Sequence, residues 1–314
     1  MSPQSGDGNS SQASGPPNEN APAFAPRDFK SGRKPIWCPG CGDYGVLTAL
    51  YRALSILGRP PEEIAFVSGI GCSGRISGYV KSFGFNALHG RALPIAQGIK
   101  LARPDLLVLA AGGDGDGFSI GGGHIAHAAR RNIDITYLVL DNLIYGLTKG
   151  QLSPTSKQGL STASSPGGSL EKPINPVLTT LAAGASFVAQ GTPADLDGLA
   201  RLIVEAVRFH GFAFLNIHTP CVTFGQPEES IRLQKEHMHS LDEFKHDPTD
   251  YFRALRLAAD RGSKLYTGVF YRNPRGEEEL SRQIREQNEA ARGGAPAPDR
   301  GKILERFQIG PKNG

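Results

Sequence analysis

Short, nearly unbroken apolar runs alternate along this chain with stretches in which apolar residues recur every three or four positions. Ile64 to Ser68, Leu106 to Ala111, Ile135 to Leu140 and Phe212 to Ile217 are runs of the first kind. Such runs mark strands buried on both faces, as in a parallel sheet. Ser186 to Ala189 is a shorter extended stretch. Val46, Leu47, Leu50, Leu54 and Leu57 fall along one side of a helix, with Asp43 placed to cap its start and Gly58-Arg59-Pro60-Pro61 to stop it. Leu93 to Ala102, Gly121 to Arg131, Pro176 to Ala183 and Asp195 to Phe209 predict further helices. The last turns Leu196, Leu199, Leu202, Ile203, Ala206 and Val207 inward. Strands and helices alternating in this way predict an α/β fold built on a doubly wound, mostly parallel sheet.

The pattern fails in three places. Residues 1–28 are rich in Ser, Pro, Gly and Asn and are expected to be disordered. Ser153 to Pro173 is rich in Ser, Gly, Pro and Thr, and a loop of that length is either functional or disordered. Beyond Asp260 the chain turns polar and charged. Residues 29–245 therefore make one α/β domain, and 246–314 a C-terminal extension, partly helical or flexible. In that extension Glu277 to Arg292 reads as a solvated helix striped only by Leu280 and Ile284, and residues 293 to 301 as a linker. Leu304, Phe307 and Ile309 form a small apolar cluster, read either as a dock for a partner subunit or as a frayed tail.

Composition narrows the class. The 314 residues carry a net charge of +4 with no dense Lys/Arg block, so neither nucleic acid nor an anionic membrane is an expected partner. No apolar run reaches the roughly 18 residues of a membrane span. The first residues lack the charged start and apolar stretch of a signal peptide, which places the protein in the cytoplasm, where thiols stay reduced. The four cysteines are then expected as ligands. Cys38 and Cys41 form a CxxC pair, and Cys72 and Cys221 stand alone. Such a set binds zinc or a [4Fe–4S] cluster, and spacing does not separate the two. The plainer alternative is two buried cysteines beside an incidental pair.

The second chemical signal is Gly113-Asp114-Gly115-Asp116-Gly117, at the end of a buried strand. Glycines there let backbone N–H groups approach phosphate oxygens, and the following helix points its positive end at the same place. A carboxylate in such a loop would repel a diphosphate unless a cation lay between them. Mg²⁺ binds through a few protein oxygens plus phosphates. Asp114 supplies a carboxylate, Asn142 at the end of the next strand a side-chain carbonyl, and the backbone near Ile144 a third oxygen. Neither GxGxxG nor GxxxxGK[ST] is present, which disfavours a dinucleotide site and a P-loop. The competing reading is that Asp114 and Asp116 only cap turns.

Gly113-Asp114-Gly115, followed after a helix and a strand by Asp141-Asn142, resembles the thiamine diphosphate motif. Four further stretches resemble, more narrowly, the β subunits of 2-oxoacid:ferredoxin oxidoreductases, the 2-oxoglutarate type above all. They are Trp37-Cys38-Pro39-Gly40-Cys41-Gly42, Gly69-Ile70-Gly71-Cys72-Ser73, His89-Gly90-Arg91-Ala92, and Ile144 to Gln151 with Ser153-Pro154-Thr155. The resemblance covers roughly residues 29–245 and implies the thiamine-diphosphate-binding fold. Asp141 stands where the family has the first of two asparagines; the ligand position is the second, Asn142. By this resemblance Mg²⁺ falls to Asp114, Asn142 and the carbonyl of Ile144. The diphosphate falls to Gly113, Gly115, Asp116, Gly146, Leu147 and Thr148. Ile70, Gly71, Ser73 and His89 line the thiazolium side, with Cys72 in the same loop. Cys38, Cys41, Cys72 and Cys221 hold one [4Fe–4S] cluster. Lys149 points at a substrate carboxylate, and His89 is a catalytic candidate; the plainer readings are a solvated lysine and a structural histidine.

The implied activity is oxidative decarboxylation of a 2-oxoacid, foremost 2-oxoglutarate, to acyl-CoA and CO₂. Coenzyme A is the co-substrate, and electrons pass through the cluster to ferredoxin. The alternatives are a pyruvate or broad-specificity enzyme of the same kind, or a non-redox thiamine-dependent decarboxylase or synthase subunit. The glutamate that such enzymes use beside the aminopyrimidine belongs, by resemblance, to a second domain that this chain lacks. An α subunit in an α₂β₂ assembly is therefore the expected partner.

Overall fold

The computed structural model describes residues 23–225, 227–260, 264–274 and 279–293. Its centre is an eight-stranded sheet. The strands are β1 (Ile64–Ser68), β2 (Phe83–Asn86), β3 (Leu107–Gly113), β4 (Ile135–Asp141), β5 (Phe187–Gly191), β6 (Phe212–His218), β7 (Met238–Ser240) and β8 (Leu265–Arg272). Their order is β2-β1-β3-β4-β6-β5-β8-β7. All pairings are parallel except that of β5 with β8. The doubly wound, mostly parallel sheet expected from the sequence is present.

Side chains alternate between the two faces of each strand, so each strand feeds two cores. Phe66, Leu109, Leu138 and Leu215 pack with α1 (Asp43–Leu57) and α5 (Leu196–Arg208). Val67, Val108, Tyr137 and Phe214 face the other way. There they meet α2 (Ala92–Ala102), α3 (Gly122–Arg131), α4 (Pro176–Ala182) and α7 (Tyr251–Ala259). The remaining helices are α6 (Pro227–Glu236) and α8 (Leu280–Arg292). Asn175 and Asp195 cap α4 and α5, accepting from the amides of Leu178 (3.0 Å) and Gly198 (2.8 Å).

Three expectations change. Asp43 is not a cap: it is the first residue of α1, behind Gly42, and its carboxylate is buried with Oδ2 unpartnered. The domain does not end at 245. β8 pairs antiparallel with β5, and Leu265, Tyr266 and Phe270 enter the core, because β5 would otherwise be an open edge. At the N-terminus, Phe24 packs against Phe29 and its carbonyl accepts from Ser55 (2.6 Å), so order begins before residue 28. Residues 1–22 and the cluster Leu304, Phe307 and Ile309 lie outside the described residues. Among the described residues no helix is long and apolar enough to cross a membrane.

The order of strands positions the site. From β1 the chain moves outward to β2 and then returns to β3 on the other side, after which it proceeds to β4. Strand order therefore reverses between β1 and β3. Ligands of open α/β sheets bind in the crevice that such a reversal leaves at the carboxyl ends of the strands.

Candidate active site

A cavity of about 240 Å³ opens at this crevice. Ile70, Gly71, Cys72 and Ser73 line it from the loop after β1, and His89 from the loop after β2. Gly113, Asp114, Gly115 and Asp116 enter at the end of β3; Asn142, Ile144, Gly146, Leu147 and Thr148 follow β4. Every residue that the sequence suggested for the cofactor thus lines one cavity. Lys149 does not: it is exposed, with a left-handed φ of 78°.

Tyr145, for which the sequence suggested no role, also joins the lining. Its hydroxyl donates to the carbonyl of Gly115 (3.2 Å), and its ring faces that of His89 at 6.3 Å between centroids. A Cβ at position 115 would lie 2.2 Å from the Tyr145 ring, so only glycine fits there. Thr155 is a second such residue. Its hydroxyl bridges the carboxylates of Asp114 (2.6 Å) and Asp141 (3.1 Å). Both lie within the stretch whose resemblance was noted; the missing signal was tertiary contact.

Acidity is concentrated here. Burial, then the neighbouring Asp141, raises the pKa of Asp114. Burial likewise raises that of Asp141. Asp43 is pushed up to about 7 by burial and by the charge of Asp114. Three buried carboxyls with no cation among them would repel one another when ionised. A hard divalent cation accepting oxygens answers that imbalance. Asp141 also accepts from Asn216 Nδ2 and from the amide of Leu143, both at 3.3 Å. Leu143 has a φ of 63°, a costly conformation for a branched residue. It turns the chain so that Asn142 and Ile144, on either side, line the same cavity.

Two of the cysteines meet the cavity at Gly146. A Cβ at that position would lie 3.4 Å from Cys221 Sγ, 3.7 Å from Cys72 Sγ and 3.7 Å from Asn142 Nδ2. Burial, followed by Asp43, pushes the Cys41 thiol up to about 12. Cys72 is pushed up to about 11 by burial, then Asp43, with Cys221 and Cys38 adding to it. All four sulfurs therefore lie within electrostatic reach. Among the described residues, however, no three His, Cys, Asp or Glu side chains converge closely enough for a single metal ion. Trp37 Nε1 donates to the carbonyl of Cys72 (2.8 Å) and ties the CxxC turn to the cavity loop.

Residues 69–217 match the family described as thiamine pyrophosphate enzyme, C-terminal TPP binding domain. Residues 221–287 match the C-terminal part of the pyruvate ferredoxin oxidoreductase β subunit. The chain is 50% identical over 197 residues to the β subunit of 2-oxoacid:ferredoxin oxidoreductase 2 of Aeropyrum pernix. That match takes in 63% of this chain but only 64% of the relative's length. It is 39% identical over 252 residues to the corresponding β subunit of Saccharolobus solfataricus, covering 76% of this chain and 81% of that one. A solved 2-oxoglutarate:ferredoxin oxidoreductase from Magnetococcus marinus, with 2-oxoglutarate, coenzyme A and succinyl-CoA bound, superposes with a TM-score of 0.84 at 40% identity. That superposition covers 92% of this chain and 98% of that one. The crevice between β1 and β3, the acid-and-asparagine pair at its floor and the thiols behind it are carried on a sequence and fold that these proteins share: the chain belongs to the family of 2-oxoacid:ferredoxin oxidoreductase β subunits.

Proposed function

We propose that this chain is the thiamine-diphosphate-binding subunit of a CoA-acylating 2-oxoacid:ferredoxin oxidoreductase whose preferred substrate is 2-oxoglutarate. The observation that carries this reading is the space left by the missing side chain of Gly146, ringed by the Asn142 amide and two thiols. A cofactor site and a thiolate site that meet at one glycine suit electron transfer between them. Thiamine diphosphate, when bound, supplies the electron sink that lets a 2-oxoacid lose CO₂, and a [4Fe–4S] cluster supplies one-electron steps.

The chain's own residues fit both groups. Asp114, the Asn142 side chain and the Ile144 carbonyl offer the hard oxygens that Mg²⁺ selects. The backbone after β3, and that of Gly146 to Thr148, offers N–H groups for a diphosphate. For the cysteines, zinc would draw its sulfurs to about 2.3 Å from one centre. Kinship with ferredoxin oxidoreductase β subunits favours a polynuclear cluster, with Cys38, Cys41, Cys72 and Cys221 as its ligands. Lys149, outside the cavity lining, would pair with the second carboxylate of a dicarboxylic substrate.

Two features support a partner subunit. Among the described residues no glutamate lines the cavity, so the carboxylate needed at the aminopyrimidine would come from an α subunit, in an α₂β₂ assembly. Around the mouth lie Ile70 and Leu147, and beside it the edge strand carries Phe83 and Phe85, with Leu88 following at 76% exposure. Apolar surface of this extent beside a binding site marks an interaction face. The deciding experiment is the ultraviolet-visible spectrum and metal content of the anaerobically purified complex. About four irons per chain are expected, bleached on addition of 2-oxoglutarate and coenzyme A together. A colourless complex with stoichiometric zinc would sink the redox reading.

A further inference from the structure

We infer that Asp116 is a positioning residue for His89 and not a side-chain contact to the diphosphate. Its carboxylate clamps the loops after β1 and β2 and holds Nδ1 of the imidazole as a hydrogen-bond donor. Nε2 is thereby the nitrogen left to exchange a proton or hydrogen bond within the cavity. The inference rests on the reading of the cavity as a cofactor and substrate site.

The geometry around Asp116 is specific. Its side chain is 1% exposed. Oδ1 receives three donors: the amide of Ile70 (3.0 Å), the amide of Gly90 (2.8 Å) and Nδ1 of His89 (2.8 Å). A carboxylate with two backbone amides already directed at it is an acceptor, so the nitrogen of His89 that faces it must donate. The partner of one ring nitrogen sets the state of the other. Ile70 and His89 both line the cavity, so one oxygen sets two parts of its wall.

The backbone is shaped around the same group. A Cβ at Gly69 would fall 1.9 Å from Oδ2 of Asp116, and one at Gly112 would fall 2.8 Å from it. A glycine just past the end of β1 and another in β3 thus make room for one carboxylate. Oδ2 itself is buried and has no hydrogen-bond partner. A carboxylate set to contact a diphosphate would add repulsion at the point where an anion is to be held. The Asp116 backbone amide does not conflict with such a ligand; the side chain does. Tyr145, packed edge-on to the His89 ring, limits the ring from the other side.

The test is nitrogen NMR of the full chain, ¹⁵N-labelled at histidine, in complex with its partner subunit. The His89 signals are assigned by their loss in His89→Gln. The neutral ring in the unsubstituted complex should be protonated at Nδ1 and bare at Nε2. All three donors meet one oxygen, Oδ1, so an amide oxygen would still accept from Nδ1 and Asp116→Asn would not separate the cases; in Asp116→Ala the acceptor is gone, and the signals should become mixed or reversed. In that variant kcat should fall about 100-fold, the scale of a misplaced acid–base group. KM and the Kd for thiamine diphosphate should stay within about threefold, and adding His89→Gln should cost little more, because the two residues act as one unit.

Two results would overturn the inference. One is a neutral His89 protonated at Nε2 in the unsubstituted complex. The other is Asp116→Ala with an unchanged His89 spectrum and a Kd for thiamine diphosphate altered tenfold or more, on the order of one charged contact. If Asp116→Ala does not fold, the tautomer in the unsubstituted complex decides alone. An unsubstituted complex that binds no thiamine diphosphate would overturn the functional reading instead, a result read separately from the tautomer.

Discussion

Asp114 is a poor residue to bury without a cation. Replacing it by alanine removes a carboxylate that shares a hydroxyl with Asp141 and raises the pKa of Asp43. The fold should survive. The Kd for thiamine diphosphate at low Mg²⁺ should rise about 100-fold or more, the scale of a lost charge-assisted contact. Calorimetry that found unchanged binding would remove Asp114 from the metal. Lys149 makes a sharper prediction because it is exposed and lies outside the lining. A charge-assisted hydrogen bond is worth roughly 1.5–3 kcal/mol. Lys149→Ala should therefore raise KM for 2-oxoglutarate by about one to two decades and leave that for pyruvate nearly unchanged. Equal losses for both would mean that Lys149 binds the shared carboxylate. His218 works against the buried carboxyls in setting how stability varies with pH. Burial, then the charge of Lys157, depresses its pKa to about 4. Below the ordinary value near 6.5, the unfolded chain binds a proton that the folded chain refuses. Its contribution should therefore fall between about pH 6.5 and pH 4, by up to roughly 3 kcal/mol, and level off below. The raised pKa values of Asp43, Asp114 and Asp141 act with the opposite sign, so the His218 share is read as the difference between the parent chain and His218→Gln in denaturant titrations; a difference constant across the window would assign the pH dependence to other groups.

At the scale of elements, strands buried on both faces were legible and edge elements were not. β3, β4 and β6 are apolar along their length because helices cover both of their faces, and their bounds came within two residues of those read from the sequence. β8 has the alternating, partly polar character of a strand near the end of a sheet, and four-residue β2 is exposed throughout. Neither rises above its polar surroundings in the sequence. Asp43 was misplaced for a related reason: an acid before an apolar helix reads as a cap, yet here burial places it toward Asp114 and the thiols. The energetic role of β8 can be measured. Removing residues 246–314 takes away the buried side chains of Leu265, Tyr266 and Phe270 and uncovers β5. At about 1.5–3 kcal/mol per buried side chain, the loss rivals the whole stability of a domain. The truncated chain should be insoluble or fail to melt cooperatively. A soluble product with an unchanged Tm would show that β8 only decorates the fold.

At the scale of the whole molecule, the apolar edge carrying Phe83, Phe85 and Leu88 leads to the cavity mouth. Interface energy concentrates in a few large side chains, whereas exposed positions contribute little to the stability of an isolated chain. Phe85→Glu with Leu88→Glu should weaken association with the partner subunit about tenfold or more and leave the Tm of this chain nearly unchanged. Unaltered association in sedimentation would place the partner on another face. Family resemblance supplied most of the lining residues; by itself the sequence determined the α/β class, the buried strands β1, β3 and β4, and the glycine-acid turn with Asn142 and Ile144 after the next strand. Each of these is local: continuous burial writes an apolar run, and a glycine-acid turn at a strand end is readable where it stands. Only the tertiary structure decided that Thr155 bridges two acids, that Tyr145 closes on Gly115, that one oxygen of Asp116 meets His89 and two loop amides, and that β8 completes the sheet. Those facts depend on which strands become neighbours. Strand order is fixed by packing over the whole chain, and no single stretch of residues records it.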